Sequence, residues 1–175
     1  ANGVLHRENI FDNIWIQPAA GDSGGAVGAA LAVYHMGLGC ERVLKPNADA
    51  MSGSFLGPEY SHHEIVSRLQ ATGAIFKELS DKEVATTTAS ALAAGKSVGW
   101  HQGRMEFGPR ALGSRSILAD PRSPTVQRRL NLQVKKRESF RPFAPSVLRE
   151  DVAEWFDLAT DSPYMLLVAS VAQDK

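Results

Sequence analysis

The chain has 175 residues, 43% of them hydrophobic and 22% charged, and its formal net charge is zero. This composition is that of an ordinary globular protein long enough to bury an apolar core, and the single cysteine, Cys40, excludes an internal disulfide. No signal-peptide pattern and no apolar run of membrane-spanning length occurs, which favours a cytoplasmic protein over a secreted or membrane-spanning one.

The first predicted elements are a strand, a loop and a helix. Residues 14–17 form a short β-type run, followed by a glycine loop at residues 18–25 and a run of small residues at 26–35. We expect the helix to end at Gly37 or Gly39, because glycine readily adopts the left-handed conformation that helix ends favour.

A linker and two helices are predicted next. Residues 45–59 lack apolar periodicity and are rich in Pro, Gly, Asn and Ser, as linkers are. Each helix starts at a capping box, in which a serine hydroxyl and a glutamate carboxylate satisfy free amide donors. The serine and glutamate pairs are Ser61 with Glu64 and Ser80 with Glu83, ahead of helices at 62–72 and 81–94.

The remaining residues predict further strands and helices, so the fold class is α/β. Residues 97–100 indicate a buried strand, Ser123 and Pro124 the start of a helix, and residues 165–171 a final strand. Since the chain starts at Ala1 without an initiator Met and stops just after that strand, we expect both ends to be cut.

The zero net charge conceals a segregation of charge. Residues 104–149, the basic stretch, contain eleven Lys and Arg residues against three acids, which gives them a net charge of +8. Several guanidinium groups at short spacing suit phosphate or carboxylate ligands. The sequence therefore predicts an anionic ligand.

The glycine loop is the first candidate site. Its glycines let the backbone approach a ligand closely, and free amides at a helix start favour an anion. Asp22 would make sense if it held a metal ion that in turn met a phosphate. The alternative is structural, with Asp22 or Ser23 capping the helix and the small residues allowing close packing.

The second candidate is the segment GRMEFGPRALGSRS at residues 103–116, which glycines and a proline predict to be an ordered loop. Its three arginines, Arg104, Arg110 and Arg115, would clamp a phosphate if they converge. In the alternative they belong to a salt-bridge network in which Glu106 neutralises one of them. The spacing alone leaves both open.

The third candidate lies in residues 131–146. If residues 134–138 are extended, Lys135 and Arg137 project to the same side and form a two-pronged anion site. Alternatively, the basic run caps the negative end of the preceding helix and is otherwise solvated. No pair of histidines has metal-binding spacing together with a third ligand, and no catalytic residue is assigned.

Three motifs together resemble a known family. They are QPAAGDSGGA at residues 17–26, GRMEFGPRALG at 103–113 and RPFAPSVL at 141–148. Over nearly its whole length the chain resembles an internal piece of the NodU/CmcH O-carbamoyltransferases, in particular the NolO-type nodulation proteins. The last two motifs are long and specific, whereas actin-like and sugar-kinase-like ATPases share the first more loosely.

The resemblance implies two domains. Residues 1–44 would be the last strand and helix of an ASKHA-type (actin- and sugar-kinase-like) carbamoyltransferase domain, and residues 45–59 the linker. Residues 60–175 would be the first part of a YrdC-like α/β domain with a twisted mixed sheet. The YrdC-like domain is expected to form carbamoyl-adenylate from carbamoyl phosphate and ATP. The ASKHA-type domain is expected to transfer the carbamoyl group with an iron-type divalent metal.

By the same resemblance, Asp22 matches a metal-ligand aspartate, and Lys135 and Arg137 resemble the Lys-x-Arg phosphate site of YrdC-like proteins. The arginines of the second candidate, Arg104, Arg110 and Arg115, would also contact carbamoyl phosphate or ATP. The family's metal histidines and its Ser-x-Asn element have no match in these residues, so the chain alone is expected to be inactive.

The expected acceptor is a hydroxyl of a sugar-containing molecule such as a nodulation factor, with no membrane partner. The alternative function is a basic nucleic-acid-binding YrdC-like module, since a stretch of charge +8 can bind a phosphate backbone. Only three phenylalanines interleave with its basic residues, which is sparse for a nucleic-acid surface.

Overall fold

The structure is a computed structural model that describes residues 2–43, 49–158 and 160–174. Over these residues the chain forms six α-helices and two β-strands. In chain order they are α1 (Asn2–Arg7), α2 (Asp22–Ala32), α3 (His62–Ala71), α4 (Asp81–Ala93), β1 (Val98–His101), β2 (Arg115–Leu118), α5 (Val126–Arg129) and α6 (Val152–Trp155). Among the described helices, none has the length and apolar character needed to cross a membrane.

The chain divides into two compact units, each assembled from separate segments. The first unit comprises Ala1–Gly57, Met105–Leu112 and Ser146–Lys175, and the second comprises Pro58–Arg104 and Gly113–Pro145. The domain boundaries at 44 and 60 rest on the family resemblance and stay a prediction. Residues 44–48 of that boundary region lie outside the described residues.

The helix after the glycine loop is confirmed. α2 starts at Asp22, and a π-helical turn, Val33–Gly37, prolongs it to one of the two predicted end points. Gly39 follows with a φ of +67°, in the left-handed region that favours glycine. The strand predicted at residues 14–17 is wrong, because a β-type run becomes a strand only where another strand pairs with its backbone.

Both capping boxes are confirmed. Ser61 accepts a hydrogen bond from the backbone N–H of Glu64 while the Glu64 carboxylate accepts one from the N–H of Ser61, and α3 follows. Ser80 and Glu83 repeat this pattern at the start of α4. The two helices end one residue earlier than predicted, at Ala71 and Ala93.

The sheet is smaller than the twisted mixed sheet that the resemblance implied. Within the described ranges, β1 and β2 form a two-stranded antiparallel sheet in which Val98 pairs with Leu118 and His101 with Arg115. The α/β class is therefore confirmed, whereas the ASKHA-type and YrdC-like assignments stay predictions. β1 alternates half-buried and exposed residues, so the prediction of a buried strand is wrong.

Two later elements also differ from the predictions. The helix expected from Ser123 and Pro124 begins only at Val126, after a turn. Residues 165–171 form an isolated bridge between Val171 and Phe156 instead of a strand. As at residues 14–17, an apolar run without a ladder partner does not become a strand.

The expected apolar core is nearly absent from the described residues. Leu130 is the only large apolar side chain there that is buried. The other buried residues hold loops in place and are mostly polar: Pro18, Ser54, Glu106, Ser114 and Asn131. Composition fixes how much apolar surface a chain has, but burial needs opposing layers of structure.

Candidate functional site

In the first unit, the middle of the second motif lies against the glycine loop. We call residues 105–112 the arginine loop. The Phe107 N–H donates to the Ser54 carbonyl at 2.6 Å, and the Gly57 N–H donates to the Met105 carbonyl at 2.9 Å. A Cβ placed on Gly108 would lie only 2.7 Å from the Cβ of Ala19. The ordered loop predicted from the glycines and proline is therefore confirmed.

Glu106 closes the arginine loop from inside. Its side chain is buried, and its Oε1 accepts a hydrogen bond from the Leu112 N–H at 2.9 Å. The carboxylate thus joins two residues that are six positions apart and leaves Pro109 and Arg110 exposed at the tip of the loop. Breaking this closure would cost free energy, because it would leave a buried carboxylate without its hydrogen bond.

A pocket of about 170 Å³ lies within the first unit. Its lining includes residues 18–21 of the glycine loop, Arg110 of the arginine loop, and Ser54 and Tyr164. Within the described residues the Arg110 side chain makes no hydrogen bond or ion pair. An uncommitted guanidinium beside the start of α2 suits an anionic ligand, because the exposed amides of a helix start also attract negative charge.

Asp22 is the first residue of α2 and is exposed. The N-cap is Gly21, and no side chain caps this helix, so the predicted capping role of Asp22 or Ser23 is wrong. No group of three or more His, Cys, Asp or Glu residues suited to a metal occurs in the described part of the chain. An exposed carboxylate can still supply one ligand, so Asp22 as a metal ligand stays a prediction.

In the second unit, the extended conformation predicted for residues 134–138 is wrong. A π-helical turn, Leu130–Val134, continues α5, and Lys135 keeps right-handed helical dihedrals. Lys136 then turns into the left-handed region with a φ of 51°. Lys135 and Arg137 therefore do not project from the same side of a strand, because helical hydrogen bonding continues into the start of this segment.

Arg137 instead has contacts of its own, with Asn131 and Phe143, that do not involve Lys135. Its Nε donates to Oδ1 of Asn131 at 2.7 Å, and its guanidinium carbon lies 5.0 Å from the centroid of the Phe143 ring. Its terminal nitrogens, Nη1 and Nη2, have no hydrogen bond or ion pair within the described residues. Two nitrogens on one edge of a guanidinium can donate in parallel to two oxygens of a carboxylate or phosphate group. The role of Lys135, which is exposed, stays a prediction.

Other arginines of the basic stretch are committed to acids. The ion pairs are Arg104 with Glu59, Arg122 with Asp120, Arg141 with Glu138, and Arg149 with Asp161. For Arg104 this geometry favours the salt-bridge interpretation over an anion clamp. Arg115 begins β2 opposite His101 and is half-buried. Direct contacts of Arg104 and Arg115 with carbamoyl phosphate or ATP stay predictions.

Sequence reasoning missed Asn131 and Phe143 as neighbours of Arg137. Both lie in the third candidate segment, but neither residue type signals an anion site by itself. Asn131 is fully buried, and only the folded turn brings its amide to the guanidinium. Tyr164 was missed for the same reason, since it joins the first unit's pocket from far along the chain.

Known protein families match both ends of the chain. Residues 89–175 match the family described as carbamoyltransferase C-terminus, and residues 1–31 match the carbamoyltransferase N-terminus. The second match covers the glycine loop and the start of α2, and the first covers the arginine loop and residues 131–143. All three candidate segments of the sequence, at residues 18–25, 103–116 and 131–146, thus lie within the matched residues.

Relatives in other organisms are similar over almost the whole chain. An uncharacterised protein of Synechocystis is 56% identical over 99% of this chain and 28% of its own length. Nodulation protein NolNO of Sinorhizobium fredii is 44% identical over 99% of the chain and 25% of its own length. Nodulation protein NolO of Bradyrhizobium diazoefficiens is 43% identical over 99% of the chain and 32% of its own length.

The chain spans about a quarter to a third of these relatives. The two family matches and the relatives agree with the three motifs from which the resemblance was drawn. The chain therefore belongs to the carbamoyltransferase family.

Proposed function

We propose that this chain is part of an O-carbamoyltransferase that forms carbamoyl-adenylate from carbamoyl phosphate, ATP and water, with release of phosphate and pyrophosphate. The carbamoyl group then passes to a hydroxyl of a sugar-containing acceptor such as a nodulation factor, and AMP leaves. The observation that carries the proposal is the pair of carbamoyltransferase matches, one at each end of the chain. The similarity to nodulation proteins supports the choice of acceptor class.

The proposed donors have one physical demand in common. Carbamoyl phosphate and ATP both carry several negative charges, so a site that binds them together must offset repulsion and orient the reacting groups. Arg110 in the first unit and Arg137 in the second each suit an anionic donor better than the ion-paired arginines do, because their terminal nitrogens are uncommitted within the described residues. Lys135 would add a flexible positive charge near Arg137.

In the proposed enzyme, residues 1–44 belong to an ASKHA-type transfer domain and residues 60–175 to a YrdC-like activating domain. Asp22 would hold an iron-type divalent metal together with ligands from elsewhere in the protein. Such a metal would supply Lewis acidity toward the carbamoyl oxygen. The contribution of the chain itself is to bind and orient the anionic donors through its arginines and the amides at the start of α2.

The ion pairs weigh against the alternative that this chain binds nucleic acid. Arg104, Arg122 and Arg141 each pair with an acidic side chain within the second unit. The basic stretch therefore presents less positive charge than its sequence suggests. Nucleic-acid binding depends on many simultaneous phosphate contacts, so this loss weighs against it.

The test is a calorimetric titration of the protein with carbamoyl phosphate, with and without ATP, beside a Lys135→Ala/Arg137→Ala variant. An assay of pyrophosphate release accompanies it and uses the whole enzyme, because the chain alone is expected to be inactive. Binding and release by the parent that the variant loses would support the proposal. The matched control is Lys136→Ala/Arg128→Ala, which removes the same charge from two exposed positions. Salt-dependent RNA binding tighter than carbamoyl phosphate binding would contradict the proposal in favour of the nucleic-acid module.

A further inference from the structure

The guanidinium of Arg137 has two edges with different environments. The Nε edge donates to Oδ1 of Asn131 at 2.7 Å, and the ring of Phe143 lies against one face, 5.0 Å from the guanidinium carbon. The edge formed by Nη1 and Nη2 has no hydrogen bond or ion pair in the described part of the chain. One edge is thus anchored, and the other keeps its donors uncommitted within the described residues.

The Asn131 side chain can provide that anchor because it is itself fixed by hydrogen bonds. Its side chain is fully buried, and its Nδ2 donates to the carbonyls of Ser139 at 3.1 Å and Arg141 at 2.8 Å. Because both amide hydrogens are used in this way, Oδ1 is the atom directed at Arg137. The Arg137 N–H also donates to the Asn131 carbonyl at 2.9 Å, so backbone and side chain are both tied to one residue.

This anchoring has a thermodynamic consequence for binding. A free arginine side chain loses rotamer freedom, and therefore entropy, when it is immobilised. Asn131 and Phe143 impose much of that order before any ligand arrives. A preorganised donor pair binds an oxyanion more tightly than a mobile one, since less entropy is lost on binding.

We propose that Asn131 is a positioning residue that fixes the Arg137 guanidinium so that Nη1 and Nη2 receive a phosphate group of carbamoyl phosphate or ATP. The inference rests on the proposed function. It assigns to Asn131 no contact with the ligand, since Asn131 acts through Arg137. It also explains why a fully buried polar side chain stands at this position.

Gln127 offers a matched control. Its Nε2 donates to the carbonyls of Phe140 at 3.2 Å and Arg141 at 3.1 Å. Gln127 therefore braces the same loop as Asn131, and it shares the Arg141 carbonyl with it, but it is exposed and makes no hydrogen bond to Arg137. Replacing Gln127 separates the bracing of the loop from the positioning of the guanidinium.

The experiment is a double-mutant cycle in the intact protein, read by titration with carbamoyl phosphate. We expect Asn131→Ala to weaken binding roughly tenfold, as loss of a hydrogen bond to a charged group does. Gln127→Ala should change it by less than about twofold. In an Arg137→Ala background, Asn131→Ala should have no further effect, because its target is gone.

Two results would overturn the inference while the proposed function stands. One is an equal loss from Asn131→Ala with and without Arg137, and the other is an equal loss from Gln127→Ala. If the parent bound neither carbamoyl phosphate nor ATP, the proposed function itself would fail, and the inference with it.

A second measurement does not require a substitution of the buried Asn131. Nuclear magnetic resonance of the parent should show the Arg137 Nε–H exchanging with water at least about tenfold more slowly than that of the exposed Arg128, because its hydrogen bond must open first. Carbamoyl phosphate should shift the Nη resonances of Arg137. Equal exchange rates for the two arginines would overturn the inference even if Asn131→Ala failed to fold.

Discussion

Gly108 lies so close to Ala19 that a Cβ at position 108 would come within 2.7 Å of the Ala19 Cβ. The backbone of Gly108 also has a φ of +100°, where side chains are strained. This contact joins the arginine loop to the glycine loop, two motifs almost 90 residues apart in the sequence. The first unit's pocket depends on it, because both loops line that pocket.

Gly108→Ala should lower the free energy of unfolding by about 2–4 kcal/mol, since it adds a steric clash to backbone strain. Gly113→Ala is the matched control. Gly113 has a φ of +116° but no atom within 4 Å of its added Cβ, so it reports strain without the clash. Urea unfolding measures both, and equal losses would contradict the close approach of the two loops.

Ser80→Ala should destabilise α4 and lower the free energy of unfolding by about 1 kcal/mol, the usual effect of losing an N-cap. The reason is that Ser80 and Glu83 satisfy each other's backbone N–H groups at the helix start. Ser90→Ala, inside the same helix, should be neutral or slightly stabilising because alanine is the better helix former. The loss of helix is read by circular dichroism during thermal unfolding, and equal effects at the two positions would count against the capping box.

Asp120 should titrate with a depressed pKa. Hydrogen bonds from the side chain and then the backbone N–H of Arg122 lower the pKa of Asp120 from 3.8 to about 2. Because the folded value lies below the unfolded one, the stabilisation is complete above about pH 4 and is lost as the pH falls toward 2. Arg122→Ala should raise the pKa of Asp120 partway toward its usual value, since the backbone bond remains.

Titration of the Asp120 carboxyl carbon by nuclear magnetic resonance measures that change. Arg128→Ala serves as the control, because the Arg128 side chain is exposed and makes no hydrogen bond or ion pair in the described part of the chain. An Asp120 pKa that did not respond to Arg122→Ala would contradict the observed pair.

Arg110→Ala should weaken binding of carbamoyl phosphate or ATP roughly tenfold, if the first unit's pocket receives one of these anions as the proposed function requires. The uncommitted guanidinium of Arg110 is the basis for this expectation. Arg128→Ala removes the same charge outside the pocket and should have less than about a twofold effect. Equal affinities of the Arg110→Ala protein and the parent would show that the pocket does not bind the donor.

Features set by neighbours in the sequence were predictable. The helix starts at Ser61 and Ser80 depend on hydrogen bonds that reach three residues along the chain, so the capping pattern alone located them. The π-helical turn that prolongs α2 likewise ends at Gly37, two residues before Gly39 enters the left-handed region that favours glycine. Family membership was also readable, because the long motifs at residues 103–113 and 141–148 are specific as strings of residues.

Features that depend on residues far apart in the sequence were not predictable. Residues 14–17 and 165–171 have strand-like sequences, but hydrogen bonding across a ladder requires a partner that no local pattern supplies. Arg104 and Arg137 looked equivalent as basic residues of two candidate motifs. Folding pairs Arg104 with Glu59, which lies 45 residues away, and anchors Arg137 on Asn131.

The sequence by itself therefore determined the helix starts, the basic character of residues 104–149 and the family. Only the tertiary structure decided which guanidinium groups keep their donors for a ligand. The physical reason is that charge is a property of each side chain, whereas its availability depends on the acids, amides and rings that the fold places beside it.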